Sequence, residues 1–69
     1  MWEALKTCRM DFSIENGVPP YMIFHDTTLE EMLFRRPKTL EEMLLINGVG
    51  ATKLERYGER FLSVISEGN

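Results

Sequence analysis

The fold of this chain depends on the eight residues at positions 17–24, which read GVPPYMIF. Pro19 and Pro20 fix two consecutive φ angles, and a residue before a proline is held in extended geometry, so a helix cannot run through them. Asn16 and Gly17 tolerate the left-handed conformation that ends a helix. The stretch therefore predicts that a first helix stops here and that a tight turn or a short 3₁₀ piece follows.

Upstream of this turn, apolar residues recur with helical spacing. Spacings of four, three and four positions put such residues on one face of an amphipathic helix. The residues concerned are Met1, Leu5, Cys8 and Phe12. We predict the first helix at about 2–15, with this face directed toward the core.

Downstream of the turn, the hexapeptide TLEEML occurs twice, at 28–33 and at 39–44. Each copy has the pattern of a capping box, in which the threonine hydroxyl accepts from an early backbone N–H and the glutamate three residues later reaches back. We interpret the copies as the starts of two short helices, because a repeat array needs at least three units. Pro37 ends the first of these helices, and the second is predicted at about 40–46.

Two further helices complete the prediction, at about 51–57 and 59–67, with Gly58 as a bend between them. Phe61, Leu62 and Ile65 are expected to face inward. No window alternates with the period of two that a strand requires. The 69 residues therefore predict one all-α domain, a compact bundle of five helices joined by short connections.

Composition restricts the function. Hydrophobic residues make up 43% and charged residues 28% of the chain, as in ordinary soluble domains, and no apolar run is long enough to span a bilayer. The net charge of -3 argues against a strong, non-specific polyanion binder. One cysteine, Cys8, interpreted as a buried core residue, and one histidine, His25, provide neither a nucleophile triad nor a metal cluster. We expect no catalytic residue, no metal site and no cofactor.

One candidate ligand-binding element is the pair of glycines at positions 48 and 50. Gly48 and Gly50 would let the backbone N–H groups at the start of the next helix approach a phosphate, as in helix-hairpin-helix proteins. Lys53 and Arg56 add positive charge to the same stretch. The same glycines are equally expected if they only allow two helices to pack closely.

The other candidate element is Tyr21, which follows the two prolines. An exposed tyrosine on a rigid turn can stack on an unpaired base, a contact worth about 1–3 kcal/mol. Lys6 and Arg9, three positions apart on the outer face of the first helix, could hold the backbone. The alternative is that Tyr21 caps the core, with Ile23 and Phe24 as buried partners, and residue chemistry alone favours this alternative.

Together these motifs resemble the HRDC domain (helicase and ribonuclease D C-terminal). The resemblance runs from about residue 5 to residue 65, and its motifs are GVPPYMIFHD at 17–26 and INGVGATKLERYG at 46–58. The last five residues of the second motif look most like the domain at the end of bacterial RecQ-type helicases. The resemblance implies a five-helix bundle with a 3₁₀ turn after the first helix, without catalytic activity of its own. It also implies an auxiliary unit that binds single-stranded or partly duplex DNA in repair and recombination.

The resemblance also implies candidate binding residues. Several family members use a basic patch on the first helix together with the turn tyrosine, which here would be Lys6, Arg9 and Tyr21. Lys53 and Arg56 are further candidates. Secondary candidates are Gly48, Gly50, Arg35, Arg36 and Lys38. Because the first helix carries only two cations, the expected DNA binding is weak.

The setting implied by the resemblance is a larger ATP-dependent 3′–5′ DNA helicase in the bacterial cytoplasm, acting at the nucleoid, with this domain a monomer that has no membrane contact. Two other functions stay open. The acidic balance favours a module that docks on the parent helicase core or on a partner protein. The pattern at 48–50 favours duplex binding.

Overall fold

The structure, a computed structural model, describes residues 1–68. Its elements are helix α1 (Trp2–Asn16), a 3₁₀ turn (Pro20–Met22), and helices α2 (Asp26–Arg35), α3 (Leu40–Leu44) and α4 (Ala51–Glu67). Within this part of the chain all regular structure is helical, which confirms the predicted all-α class. The number of helices differs from the prediction, since four α-helices form rather than five.

The end of α1 follows the prediction. Gly17 adopts the left-handed conformation, with φ 64 and ψ 36, and its N–H donates to the Ile14 carbonyl at 3.3 Å. The Val18 N–H donates to the Ser13 carbonyl at 3.1 Å, which completes a Schellman-type cap. The predicted face is also confirmed, because Leu5, Cys8 and Phe12 are buried and Met1 is partly buried against the core.

The prediction of a bend at Gly58 is wrong, and α4 is one continuous helix of 17 residues. Gly58 is buried where a Cβ atom would lie 2.8 Å from Leu54 Cδ1 and 3.2 Å from Leu40 Cδ2. The glycine therefore serves close packing of α4 against the start of α3. Phe61 and Ile65 are buried as expected, whereas Leu62 is only partly buried.

The first of the two predicted capping boxes is wrong. Helix α2 begins at Asp26, with His25 in extended geometry before it, so Thr28 lies within the first turn. Thr28 is buried, and its hydroxyl donates to the Asn47 carbonyl at 3.0 Å. The carboxylate of Glu31 accepts from the Asn47 N–H at 3.3 Å. These two side chains hold the α3–α4 connection instead of capping their own helix.

The second copy does cap its helix. The Thr39 hydroxyl accepts from the Glu42 N–H at 3.1 Å, and Glu42 Oε1 accepts from the Lys38 N–H at 2.8 Å. The glutamate thus reaches back one residue further than the standard capping box. Helix α3 ends at Leu44, two residues before the predicted end.

An aromatic cluster lies at the centre of the core. The ring centroids of Phe12 and Tyr57 are 4.7 Å apart, and Phe24 meets Phe61 edge-on at 5.0 Å. The remaining core residues are aliphatic or sulfur-containing: Leu5, Cys8, Ile23, Leu29, Met32, Met43, Ile46, Val49 and Ile65. Phe24 connects this core to the surface described next, because it directly follows the 3₁₀ turn and Ile23.

Candidate nucleic-acid interface

The 3₁₀ turn presents Tyr21 to solvent. Pro19 is extended and Pro20 occupies the first helical position, so the turn begins with two fixed φ angles. Tyr21 is 57% exposed, and its ring centroid lies 6.1 Å from that of His25 at an interplanar angle of 28°. Tyr21 is therefore not the core cap that residue chemistry favoured, and that role falls to the buried Ile23 and Phe24.

Arg9 lies beside this turn, and it is not the outward-facing cation that its spacing suggested. Its side chain is only 11% exposed. Nη1 donates to the Phe24 carbonyl at 3.1 Å and to Asp26 Oδ1 at 2.6 Å. The carbonyl fixes the guanidinium against the segment that leads into α2, and the carboxylate covers it from the solvent side.

The structure brings Arg9 and Tyr21 to one open cleft of about 440 Å³. The residues that line the cleft belong to α1, to the 3₁₀ turn, and to the first turn of α2 with the N-cap residue before it: Arg9, Pro20, Tyr21, His25, Asp26 and Thr27. One cation, one carboxylate and two aromatic rings therefore meet where three elements converge. Such a mixture can hold an anionic group and a flat ring side by side.

Two further lysines lie on neighbouring elements. Lys6, one turn before Arg9, is exposed, and its Nζ is 5.9 Å from the Trp2 ring centroid. Lys53, in the first turn of α4, has its Nζ 5.8 Å from the Phe24 ring centroid. Arg9 and Lys53 thus both contact Phe24, one at its carbonyl and the other at its ring. Arg56, one turn further along α4, is exposed.

The glycines at 48 and 50 have different roles. Gly48 has φ 95, and a Cβ there would collide with the Thr28 hydroxyl, so this glycine allows the loop to pack against α2. Gly50 is the N-cap of α4 in extended geometry, with nothing near the position of a Cβ. Close packing therefore accounts for Gly48, and Gly50 stays a candidate for ligand approach.

The remaining secondary candidates lie at the end of α2 and in the loop that follows it. Arg35 pairs with Glu31 at 3.0 Å within the helix. Arg36 ends the helix in the left-handed region, with φ 47. Lys38 is exposed and lines a different cleft, together with Leu40, Glu59 and Leu62. None of these three residues lines the cleft at Tyr21.

Two residues of the cleft were missed by sequence reasoning. Neither His25 nor Asp26 is among the candidate binding residues that the sequence indicates, although both lie in the motif at 17–26. Asp26 is 17 positions from Arg9, so no local spacing connects them. The available signal was a carboxylate directly after a rigid turn, where it would lie near any cation of the preceding helix.

Cys8 behaves as a core residue. Burial raises the pKa of its thiol to about 11, so it is protonated at neutral pH and a poor nucleophile. Within residues 1–68, no group of three or more His, Cys, Asp or Glu side chains could hold a metal ion. No helix in that range is long and apolar enough to cross a membrane.

Comparison with known proteins identifies this arrangement. Residues 1–65 match the family model of the HRDC domain. The chain is 42% identical over 67 residues to the ATP-dependent DNA helicase RecQ of Haemophilus influenzae, a match that covers 97% of this chain and 11% of that protein. It is also 42% identical over 65 residues to the RecQ of Bacillus subtilis, covering 94% of this chain and 11% of that protein.

A solved structure has the same fold. HRDC domain 3 of D. radiodurans RecQ superimposes with a TM-score of 0.92 and 36% sequence identity, covering 96% of this chain and 87% of that one. The chain thus matches most of that solved domain, while it spans only about a tenth of the helicases above. It belongs to the HRDC family, a non-catalytic helical accessory domain of RecQ-type DNA helicases.

Proposed function

We propose that this domain binds single-stranded or partly duplex DNA weakly, and that it modulates how a RecQ-type helicase of the bacterial nucleoid engages its substrate in repair and recombination. The observation that carries the proposal is the exposed Tyr21 beside the anchored cation Arg9 in one cleft. A base can stack on the tyrosine while a neighbouring phosphate meets the guanidinium.

The charges of the domain support weak rather than strong binding. The chain carries a net charge of -3, and Arg9 is already paired with Asp26. Few phosphate contacts are therefore available, and each contributes a slope of about -0.7 to the dependence of log affinity on log salt for single strands. A shallow salt dependence and a modest affinity are the expected result.

Fluorescence anisotropy with a labelled oligothymidylate tests the proposal. Tyr21→Ala should weaken binding about tenfold at low salt, since stacking is worth about 1–3 kcal/mol per base. Phe34→Ala is the matched control, because Phe34 is an aromatic residue on α2 that is 87% exposed. Absence of binding at low salt, or equal losses in the two variants, would contradict the proposal.

Docking on the parent helicase core is the second candidate. It is favoured by the acidic balance and by large apolar side chains that face solvent, with Phe34 87% and Leu45 78% exposed. Sedimentation of the domain with a RecQ-type helicase core tests this candidate. If a complex forms, Leu45→Ser should weaken it, whereas Tyr21→Ala should not.

Chemical-shift mapping with duplex and single-stranded oligonucleotides tests for duplex binding through the connection at 48–50. Amide chemical shifts of residues 48–53 would change with a duplex oligonucleotide, while those of residues 20–27 would change with a single strand. Because close packing already accounts for Gly48, we expect the second pattern.

A further inference from the structure

We propose that Asp26 occupies the anion site of Arg9 in the free domain, and that a backbone phosphate of a single-stranded nucleic acid displaces it on binding. The inference rests on the proposed function and adds to it a residue that limits the affinity. Asp26 then acts as an internal competitor, and the weakness of binding has a specific structural cause.

The two partners of Arg9 differ in how firmly they are held. The Phe24 carbonyl belongs to a residue that is 1% exposed, whereas the Asp26 side chain is 70% exposed. Both contacts use Nη1, although a guanidinium presents five donors in a fixed fork. The cation is therefore fixed by the core, and its anionic partner can leave without disturbing the core.

Carboxylate and phosphate oxygens compete for the same donors. Arginine binds both through short, charge-assisted hydrogen bonds, and a backbone phosphodiester, like a carboxylate, carries one negative charge and two oxygens that can accept from the same fork. The exposed carboxylate is screened by water and salt, and an incoming phosphate gives the mostly buried guanidinium a new anionic partner, so its charge is not left unpaired. Exchange of Asp26 for phosphate is thus inexpensive for the fold.

The walls of the cleft suit the rest of a nucleotide. The rings of Tyr21 and His25 both line the cleft and lie at 28° to one another, so a base in the cleft could contact either ring. The cleft volume of about 440 Å³ lies within the range of sites for small ligands, which is about 300–1,000 Å³. One nucleotide, with its phosphate at Arg9 and its base at Tyr21, is the unit that we expect to be recognised.

Removal of the competing charge tests the inference. Asp26→Asn should raise the affinity for labelled oligothymidylate about threefold to fivefold at low salt, with a smaller gain as salt rises. Glu59→Gln is the matched control, because it changes the net charge equally at an exposed position on α4 outside the cleft. Thermal melts of both variants establish that each is folded during the titration.

A double variant tests whether the gain depends on Arg9. In an Arg9→Gln background, Asp26→Asn should produce no more gain than Glu59→Gln. If wild type binds and Asp26→Asn equals Glu59→Gln, the inference is overturned and the proposed function stands. A gain that persists without Arg9 also overturns it. If neither wild type nor Asp26→Asn binds at low salt, both the inference and the proposed function fail.

Discussion

The hydroxyl of Thr28 on α2 donates to the main-chain carbonyl of Asn47, 3.0 Å away, in the connection between α3 and α4. Glu31 accepts from the N–H of the same asparagine, so one face of α2 satisfies both backbone groups of a single loop residue. Gly48 follows directly and faces Thr28 without a side chain between them. This contact fixes the start of α4, which carries Lys53.

Thr28→Val is expected to destabilise the domain by about 1–2 kcal/mol, because the Asn47 carbonyl loses its partner while the side-chain shape is kept. Urea denaturation followed by circular dichroism measures the difference. Thr52→Val, at an exposed position on α4, should change the stability by less than about 0.5 kcal/mol. Equal effects of the two substitutions would show that the buried contact contributes nothing.

Two glycines with positive φ form a second matched pair. Gly17→Ala should lower the free energy of unfolding by about 1 kcal/mol, because alanine is strained in the left-handed conformation. The space around Gly17 is open, so no collision adds to this cost. Gly48→Ala should cost about 3 kcal/mol or more, because strain is combined with a collision against Thr28. Chemical denaturation measures both values, and a Gly48→Ala protein as stable as Gly17→Ala would contradict the packing role.

Arg60 connects α4 to α1. Its guanidinium lies 4.3 Å from the Phe12 ring centroid, 3.2 Å from Glu15 and 3.9 Å from Asp11. Arg60→Ala should cost about 1–2 kcal/mol, of which the part due to stacking persists at high salt. Arg35→Ala removes one ion pair within α2 and should cost at most about 0.5 kcal/mol. Thermal unfolding at low and high salt distinguishes the two contributions.

The thiol of Cys8 should resist alkylation in the folded protein. Burial raises its pKa to about 11, so little thiolate is present at pH 8. Iodoacetamide labelling followed by mass spectrometry should be slow without denaturant and fast in urea. Because the folded-state pKa lies above the unfolded value of 9.0, the unfolded state loses its proton first, and stability should fall between about pH 9 and pH 11. Cys8→Ala should lack this decrease.

Lys6 and Lys38 distinguish the proposed surface from the rest of the molecule. Lys6→Gln should reduce the salt slope of single-strand binding by about 0.7, the value for one phosphate contact. Lys38→Gln, in the loop after α2, should leave the slope unchanged. Anisotropy titrations at three salt concentrations measure the slopes, and equal slopes would remove Lys6 from the interface.

The predictions that held depend on local patterns. The spacing of Leu5, Cys8 and Phe12 predicted a buried face because helical periodicity is a property of neighbouring residues. The two TLEEML copies show the limit of such patterns. Thr39 caps its helix, whereas the equivalent Thr28 is buried against Asn47, a residue 19 positions away.

The predictions for Gly58 and Arg9 were wrong for related reasons. A glycine within a helical pattern indicates a bend when only its flexibility is considered, but here Leu40 on another helix requires the absence of a side chain. The spacing of Arg9 relative to Lys6 indicated an exposed cation, although Phe24 and Asp26 hold it from the next two segments. The family resemblance indicated Tyr21 as a surface binding residue, whereas residue chemistry alone favoured a core position.

Phe24 belongs to both the core and the candidate surface: its ring packs in the aromatic core, and its carbonyl accepts a hydrogen bond from Arg9. The packing of the core therefore determines the shape of the candidate surface. Side chains outside the core determine much of its charge. If a substitution in the core abolishes binding, the cause would consequently be a shift of the backbone that supports the surface and not the loss of a direct contact with the ligand. Substitutions at Lys6 or Asp26, in contrast, can change the affinity for nucleic acid while the core keeps its structure.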